Sequence, residues 1–256
     1  FLKKYESLKW IVFNKKINFN KEKFEKFKKN SYDFKLGWDY KLNAIKKKFI
    51  TKKGYRKSNY SQRKPNMIAF GDSYTYCREI EYNKTWCEKI SKSKNIFVAN
   101  FGVGNYGLDQ AFLKFKKFKS HNKSKFVIFG FVPETICRVQ SSWKYYIEFG
   151  NVHGFKPSLK LKKNKLEFTK NPLTKNVSFS KLPNLIEKLN KTDRFYKEKF
   201  LKYNFSFPFL VSFLKNFCFN LEIFKVIMMS KVKKKSSLED KIFPLVIKYN
   251  IKLSHK

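Results

Sequence analysis

The chain has 256 residues, enough for one large domain or two small ones and long enough to bury a substantial core. Its apolar fraction of 42% and aromatic fraction of 19% exclude a disordered, collagen-like or disulfide-scaffold protein. The formal net charge of +39 points at first to a polyanion partner, but the only arginines are Arg56, Arg63, Arg78, Arg138 and Arg194. Arg is the residue suited to bidentate phosphate contacts, and Lys, Asn, Phe, Ile and Tyr are enriched together, as an AT-rich genome would encode them. Coding bias is therefore the favoured source of the charge, and no nucleic-acid partner is expected.

In chain order, residues 1–64 read as a basic, mainly helical extension with Phe24, Phe27, Ile45 and Phe49 as buried positions. Thr51 to Pro65 is polar and turn-rich, a junction to a second region spanning 65–256. There the pattern becomes strand, loop, helix. Met67 to Phe70, Ile96 to Ala99 and Phe126 to Phe129 are short uniformly apolar runs. Between them lie a helix capped at Asn83 and running to about Lys92, and another from about Tyr106 to Phe118. Uniformly apolar strands alternating with amphipathic helices predict a parallel sheet covered on both faces. Ser141 to Pro172 reads as an insertion (about 139–180 at its widest), with a hairpin turning at Lys163-Asn164. Leu182 to Phe224 returns to helical spacing with a break at Phe207-Pro208, and Phe243 to Ile247 is a further candidate strand.

Cys77, Cys87, Cys137 and Cys218 form no C-x-x-C pair and, with His121, His153 and His255, no metal-ligand spacing. Free thiols are expected, and neither a metal nor a cofactor. No signal peptide is visible and no apolar run is clean enough to span a membrane, because Lys215, Glu222 and Lys225 interrupt Phe205 to Met229. A cytoplasmic location is the default. The chain starts at Phe1, which suggests a missing N-terminus and leaves localisation open, as is the oligomeric state.

In a parallel α/β sheet the functional groups gather in loops after the carboxyl ends of strands. Three such loops stand out: Gly71 to Thr75, Gly102 to Gly107, and Pro133 to Arg138. Ser73 sits where a nucleophile belongs, with its own backbone N–H available to an oxyanion. Gly-Asp-Ser is also an ordinary polar turn. Glycines 102, 104 and 107 allow backbone N–H groups to approach a ligand, and Asn105 tolerates a left-handed conformation. Trp143, Tyr145, Tyr146 and Phe149 read as packing residues first and as a sugar-stacking surface second. Lys231 to Lys235 reads as a solvated loop.

Gly71-Asp72-Ser73 after the first strand, followed by Asn-Phe-Gly-Val-Gly-Asn-Tyr-Gly-Leu-Asp-Gln at 100–110, resembles the SGNH (GDSL-type) hydrolase superfamily. Pro133 to Arg138, Phe155-Lys-Pro-Ser and Lys165-Leu-Glu-Phe resemble an uncharacterised bacterial subgroup of it, and the similarity covers about 66–175. The resemblance implies a flavodoxin-like three-layer α/β/α sandwich and esterase, lipase or acyltransferase chemistry on O-acyl esters, often of carbohydrates. It implies Ser73 as nucleophile, with the Ser73 and Asn105 backbone N–H groups as oxyanion donors. The family's third donor is an Asn after the third strand, where this chain has Pro133-Glu134-Thr135; the Thr135 hydroxyl is the substitute. Asp72, Gly104, Glu134 and Arg138 are the candidate substrate-binding residues, with Arg138 either meeting an anionic group or pairing with Glu134.

The family's Asp-x-x-His block is missing. Asp240 and His255 are too far apart in sequence to form it, His121 precedes the third strand, and His153 lies in the insertion. Two readings follow: a chain that stops before its catalytic His, which is preferred, or a degenerate relative that binds a glycan or acyl ligand without turnover. A basic nucleic-acid or membrane-surface protein is the remaining alternative.

Overall fold

The computed structural model describes residues 19–41, 49–118, 124–147, 152–193, 195–196, 207–215, 217–218, 220–221 and 224. Ile45, His121, Phe149, Lys231 to Lys235, Asp240, Phe243 to Ile247 and His255 lie outside the described residues, as does the Glu134 side chain. The chain divides into two compact units, one of residues 21–142 and 153–179, the other of 1–20, 143–152 and 180–256.

The first unit opens with α1 (Lys21–Asn30), which buries Phe24 and points its lysines outward. A minimal antiparallel pair, β1 (Tyr32–Asp33) and β2 (Gly37–Trp38), follows. Turns and an isolated bridge between Ile50 and Arg56 lead to the sheet. The region before the sheet therefore contains a single described helix. Tyr55 is buried there, whereas Phe49 is 51% exposed and packs no core. Thr51 to Pro65 is thus a packed segment: the Tyr55 ring lies edge-on to Phe97 and Phe101, and Arg56 N–H bonds to Asn100 O.

The core of the unit is a parallel sheet of β3 (Met67–Gly71), β4 (Val98–Asn100) and β5 (Phe126–Gly130), in the order β4-β3-β5. After β3 come the single turn α2 (Ser73–Tyr76) and, further on, α3 (Trp86–Lys94). Thr85, not Asn83, caps α3, its Oγ1 accepting from Glu88 N–H; Asn83 falls inside a preceding 3-10 turn. Helix α4 (Leu108–Phe118) links β4 to β5.

Both faces of β3 and β4 are covered, and side-chain alternation explains how, whereas the edge strand β5 leaves Phe126 60% and Val127 40% exposed. Ile68 and Phe70 join Phe97, Ala99, Phe101, Ala111 and Phe115 on one face. Met67, Ala69, Val98 and Ile128 meet Trp86, Cys87 and Ile90 on the other. A strand with both faces buried needs the uniformly apolar sequence that marks it.

The insertion forms the hairpin β6 (Leu159–Lys162) and β7 (Lys165–Phe168), with Leu159 opposite Phe168 and Leu161 opposite Leu166. Lys163 and Asn164 both have positive φ, the geometry a two-residue turn requires. The ring of Phe168 lies parallel to that of Phe112 in α4 at 6.3 Å.

Two lysines are buried in this unit with acidic partners. Lys114 bonds Asp39 at 2.7 Å, and Lys156 bonds Asp109 and the Pro157 carbonyl. Burial raises the Asp109 pKa even against its lysine.

In the second unit α5 (Leu182–Thr192) buries Leu182 and Leu189, and α6 (Phe209–Lys215) follows the Phe207-Pro208 break. Trp143, Tyr145 and Tyr146 are buried, with Trp143 stacked on Tyr145 at 5.0 Å and the Tyr146 hydroxyl bonded to Asn190. These aromatics pack. Among the described residues no helix is long and apolar enough to cross a membrane. The four cysteines are free thiols, with Cys87 and Cys137 buried, Cys77 half-buried and Cys218 exposed.

His153 sits between the rings of Phe24 and Phe27, at 5.6 and 5.7 Å. Burial first, and Lys23 second, push its pKa below the ordinary value. The unfolded chain therefore takes up the proton first as pH falls. This contribution to stability is full above about pH 6.5 and is lost as pH drops from there through the folded-state pKa. The urea midpoint of the wild type should fall between pH 7.5 and 5.5, and His153→Phe should flatten that slope. Parallel slopes for the two proteins would remove His153 as the cause.

Candidate active site

The three loops singled out in the sequence meet at the carboxyl edge of the sheet. β3 ends at Gly71, and Asp72 turns the chain into α2. The carboxylate of Asp72 caps that turn: Oδ1 accepts from Tyr74 N–H at 2.9 Å and from Thr75 N–H at 3.4 Å. Its Oδ2 is buried without a hydrogen bond and lies 4.0 Å from Arg138 Nη1. Asp72 is only 2% exposed, so it shapes the turn from beneath.

Ser73 is the first residue of α2 and half-buried. Among the described residues neither its Oγ nor its backbone N–H has a hydrogen-bond partner. The turn it stands on is held from two sides. Thr75 Oγ1 donates to Gly130 O at the end of β5, and Asn100 Nδ2 at the end of β4 donates to Thr75 O at 2.7 Å.

The second loop presses against the same turn. A Cβ on Gly102 would stand 2.5 Å from Tyr76 N, a contact no side chain can make. Asn105 has φ 68°, a left-handed conformation, and its N–H has no hydrogen-bond partner among the described residues. Gly104 is different: its N–H donates to the Tyr40 hydroxyl at 3.1 Å, and its carbonyl accepts from Trp38 Nε1. That N–H is committed to the fold.

The third loop is a 3-10 turn over Pro133–Val139. Arg138 is 9% exposed and donates to Tyr106 O at 2.9 Å, tying the third loop to the second. Its charge faces Asp72. Thr135 is 3% exposed and its hydroxyl donates to Val132 O at 2.8 Å. An oxyanion role for that hydroxyl would require breaking this bond, because a hydroxyl has one hydrogen to give.

No described histidine is hydrogen-bonded to Ser73; His153 lies against the rings of Phe24 and Phe27 of α1. Among the described residues no group of His, Cys, Asp and Glu could hold a metal ion. The edge thus presents a hydroxyl and two unengaged backbone N–H groups, with a buried Asp–Arg pair beside them. Such groups can receive a carbonyl and stabilise negative charge on its oxygen.

Several residues that shape this edge carry no local motif. Tyr106 OH donates to Trp38 O at 2.6 Å, and Gln110 Nε2 donates to Leu36 O at 2.7 Å while its Oε1 accepts from Gly107 N–H. Burial raises the Tyr40 pKa to about 12, so its hydroxyl stays protonated at neutral pH. Arg56 is 6% exposed and gives its guanidinium to the carbonyls of Tyr76, Cys77 and Ile80, stacking on the Tyr76 ring at 4.8 Å. Its scarcity as an arginine in a lysine-rich chain was the one available signal.

No protein-family model, curated protein or solved structure matches the chain.

Arg56 closes the carbonyl end of the turn that bears Ser73, and a lysine has no fork to replace it. Arg56→Lys should lower the unfolding free energy by about 1.5–3 kcal/mol in urea titrations. Stability unchanged within about 0.5 kcal/mol, the range of a surface substitution, would mean that these bonds hold nothing in place.

Proposed function

We propose that the protein is a serine hydrolase or acyltransferase of the SGNH type, acting on O-acyl esters through an acyl-enzyme on Ser73, with carbohydrate esters among its candidate substrates. The observation that supports this reading most is the position of Ser73. It opens the helix after the central strand of a parallel sheet, with its hydroxyl and N–H unengaged and the Asn105 N–H unengaged on the adjoining loop. In chain order the strands lie 2-1-3, the beginning of the flavodoxin-like order, which favours the three-layer sandwich this family shares.

In the proposed reaction Ser73 Oγ attacks the ester carbonyl and its proton passes to a base. The carbonyl oxygen takes the negative charge and is met by the N–H groups of Ser73 and Asn105. Collapse expels the alcohol, which takes a proton, and leaves the acyl group on Ser73. Water or an acceptor alcohol then releases it. Arg138 acts as a positioning residue, holding the second loop through Tyr106 O and facing Asp72.

A second reading is favoured by one observation: among the described residues no base hydrogen-bonds the Ser73 hydroxyl. An unactivated hydroxyl is a weak nucleophile, so the same edge would bind an ester or glycan without turning it over.

Fluorophosphonate labelling of the full-length protein separates the two. The hydrolase reading expects a single adduct on Ser73 that is absent from Ser73→Ala. No adduct, with both proteins folded, would leave the binding reading.

A further inference from the structure

Helix α6 has no part in the hydrolase reading, and none of its residues is buried. Phe209, Leu210, Val211 and Leu214 are all exposed, Leu210 to 70%, and Phe207 just before the helix to 83%. The chain is helical again at residues 217–218, 220–221 and 224, where Phe217 and Phe224 are exposed as well. Large apolar side chains gathered in this way on one segment mark a binding surface.

Helix geometry narrows what can cover it. At about 100° per residue, Phe209, Phe213, Leu210, Leu214 and Val211 follow one another around the axis over an arc of about 200°. A helix that packs on a core presents a stripe of about 100°. An arc twice as wide leaves apolar side chains in water when one protein groove is filled. A lipid interface, into which a helix sinks lengthwise, covers such an arc and leaves the polar remainder facing water. Here that remainder is Ser212 and Lys215.

The sign of the charge selects the lipid. Lys215 is exposed and borders the apolar arc next to Val211. From Phe205 to Lys235 the sequence holds Lys215, Lys225, Lys231, Lys233, Lys234 and Lys235 against a single acid, Glu222. An apolar helix followed in sequence by a lysine run matches a surface of anionic headgroups, and the two signals together hold a protein where either alone releases it.

We infer that α6 docks the protein on a membrane surface rich in anionic lipid, lying in the interface rather than crossing it. The docking stands apart from the chemistry at Ser73.

The test uses the full-length protein with vesicles of phosphatidylglycerol and phosphatidylcholine in equal amounts, and with vesicles of phosphatidylcholine alone. Co-sedimentation should show binding to the anionic mixture about tenfold tighter or more. A chain of net charge +39 also adsorbs to anionic vesicles through charge, so the decisive contrast is between variants. Leu210→Glu and Leu214→Glu, both at exposed positions, should each weaken binding about tenfold or more, because each withdraws an apolar side chain from the interface and puts a carboxylate there. Leu161→Glu, an equally exposed leucine of the hairpin, makes the same charge change and should shift binding by less than about twofold. An environment-sensitive dye on the exposed thiol of Cys218, in a Cys77→Ser background, should move to the blue on anionic vesicles. Equal losses from Leu161→Glu and the helix variants, or an aqueous Cys218 emission from bound protein, would mean adsorption by charge and overturn the inference. So would Leu210→Glu converting a dimer to a monomer in sedimentation without any vesicle binding, since a second copy would then cover the helix. Equal binding to phosphatidylcholine alone would overturn the anionic assignment.

Discussion

The close approach of one helical turn to three strand ends is the constraint on which the rest of this edge depends. A Cβ on Gly71 would lie 2.1 Å from Thr75 Oγ1 and 2.2 Å from Gly130 O, and one on Gly130 would lie 2.4 Å from the same hydroxyl. No side chain fits at either place. Glycine at the ends of β3 and β5 lets α2 settle onto the sheet, so that Thr75 can reach Gly130 O and Asn100 can reach Thr75 O. Ser73 stands where it does because of contacts made two residues further along.

Energetically the turn is too short to hold itself. Four residues fix several dihedrals in exchange for few internal hydrogen bonds, and an isolated helix of that length does not form in water. Its stability comes from outside: the Asp72 cap, the Asn100 and Thr75 side chains, and the Arg56 guanidinium on the carbonyls beyond it. The second loop is held in the same manner by Leu36, Trp38 and Tyr40, so residues from before the sheet brace the edge.

That division explains what could be read in the sequence. β3 and β4 announce themselves because both their faces are buried, β5 by its apolar run although Phe126 and Val127 stay exposed, and the hairpin because Lys163-Asn164 separates two alternating runs. The loops follow, since their place is set by strand direction. Asn83 misled because a 3-10 turn consumed it and left Thr85 to cap the helix. Tyr40, Gln110 and Arg56 act across long sequence separations on main-chain atoms, which have no side-chain identity to leave a pattern. The basic extension was the least legible part. Its lysine-rich periodicity suits a helix, whereas Leu36, Trp38 and Tyr55 are instead drawn into the core of the sheet.

The two buried arginines have a consequence for how such a chain can drift. A lysine codon and an arginine codon can be one nucleotide apart, so an exchange between them is a single mutational step. Most positions here have room to follow: an exposed ammonium is solvated wherever it falls. Arg56 and Arg138 do not, because each feeds main-chain carbonyls from within the fold. In a chain whose cations are almost all lysines, these buried guanidiniums stand out, and the rarity of arginine becomes a means of finding the places where geometry needs a planar fork.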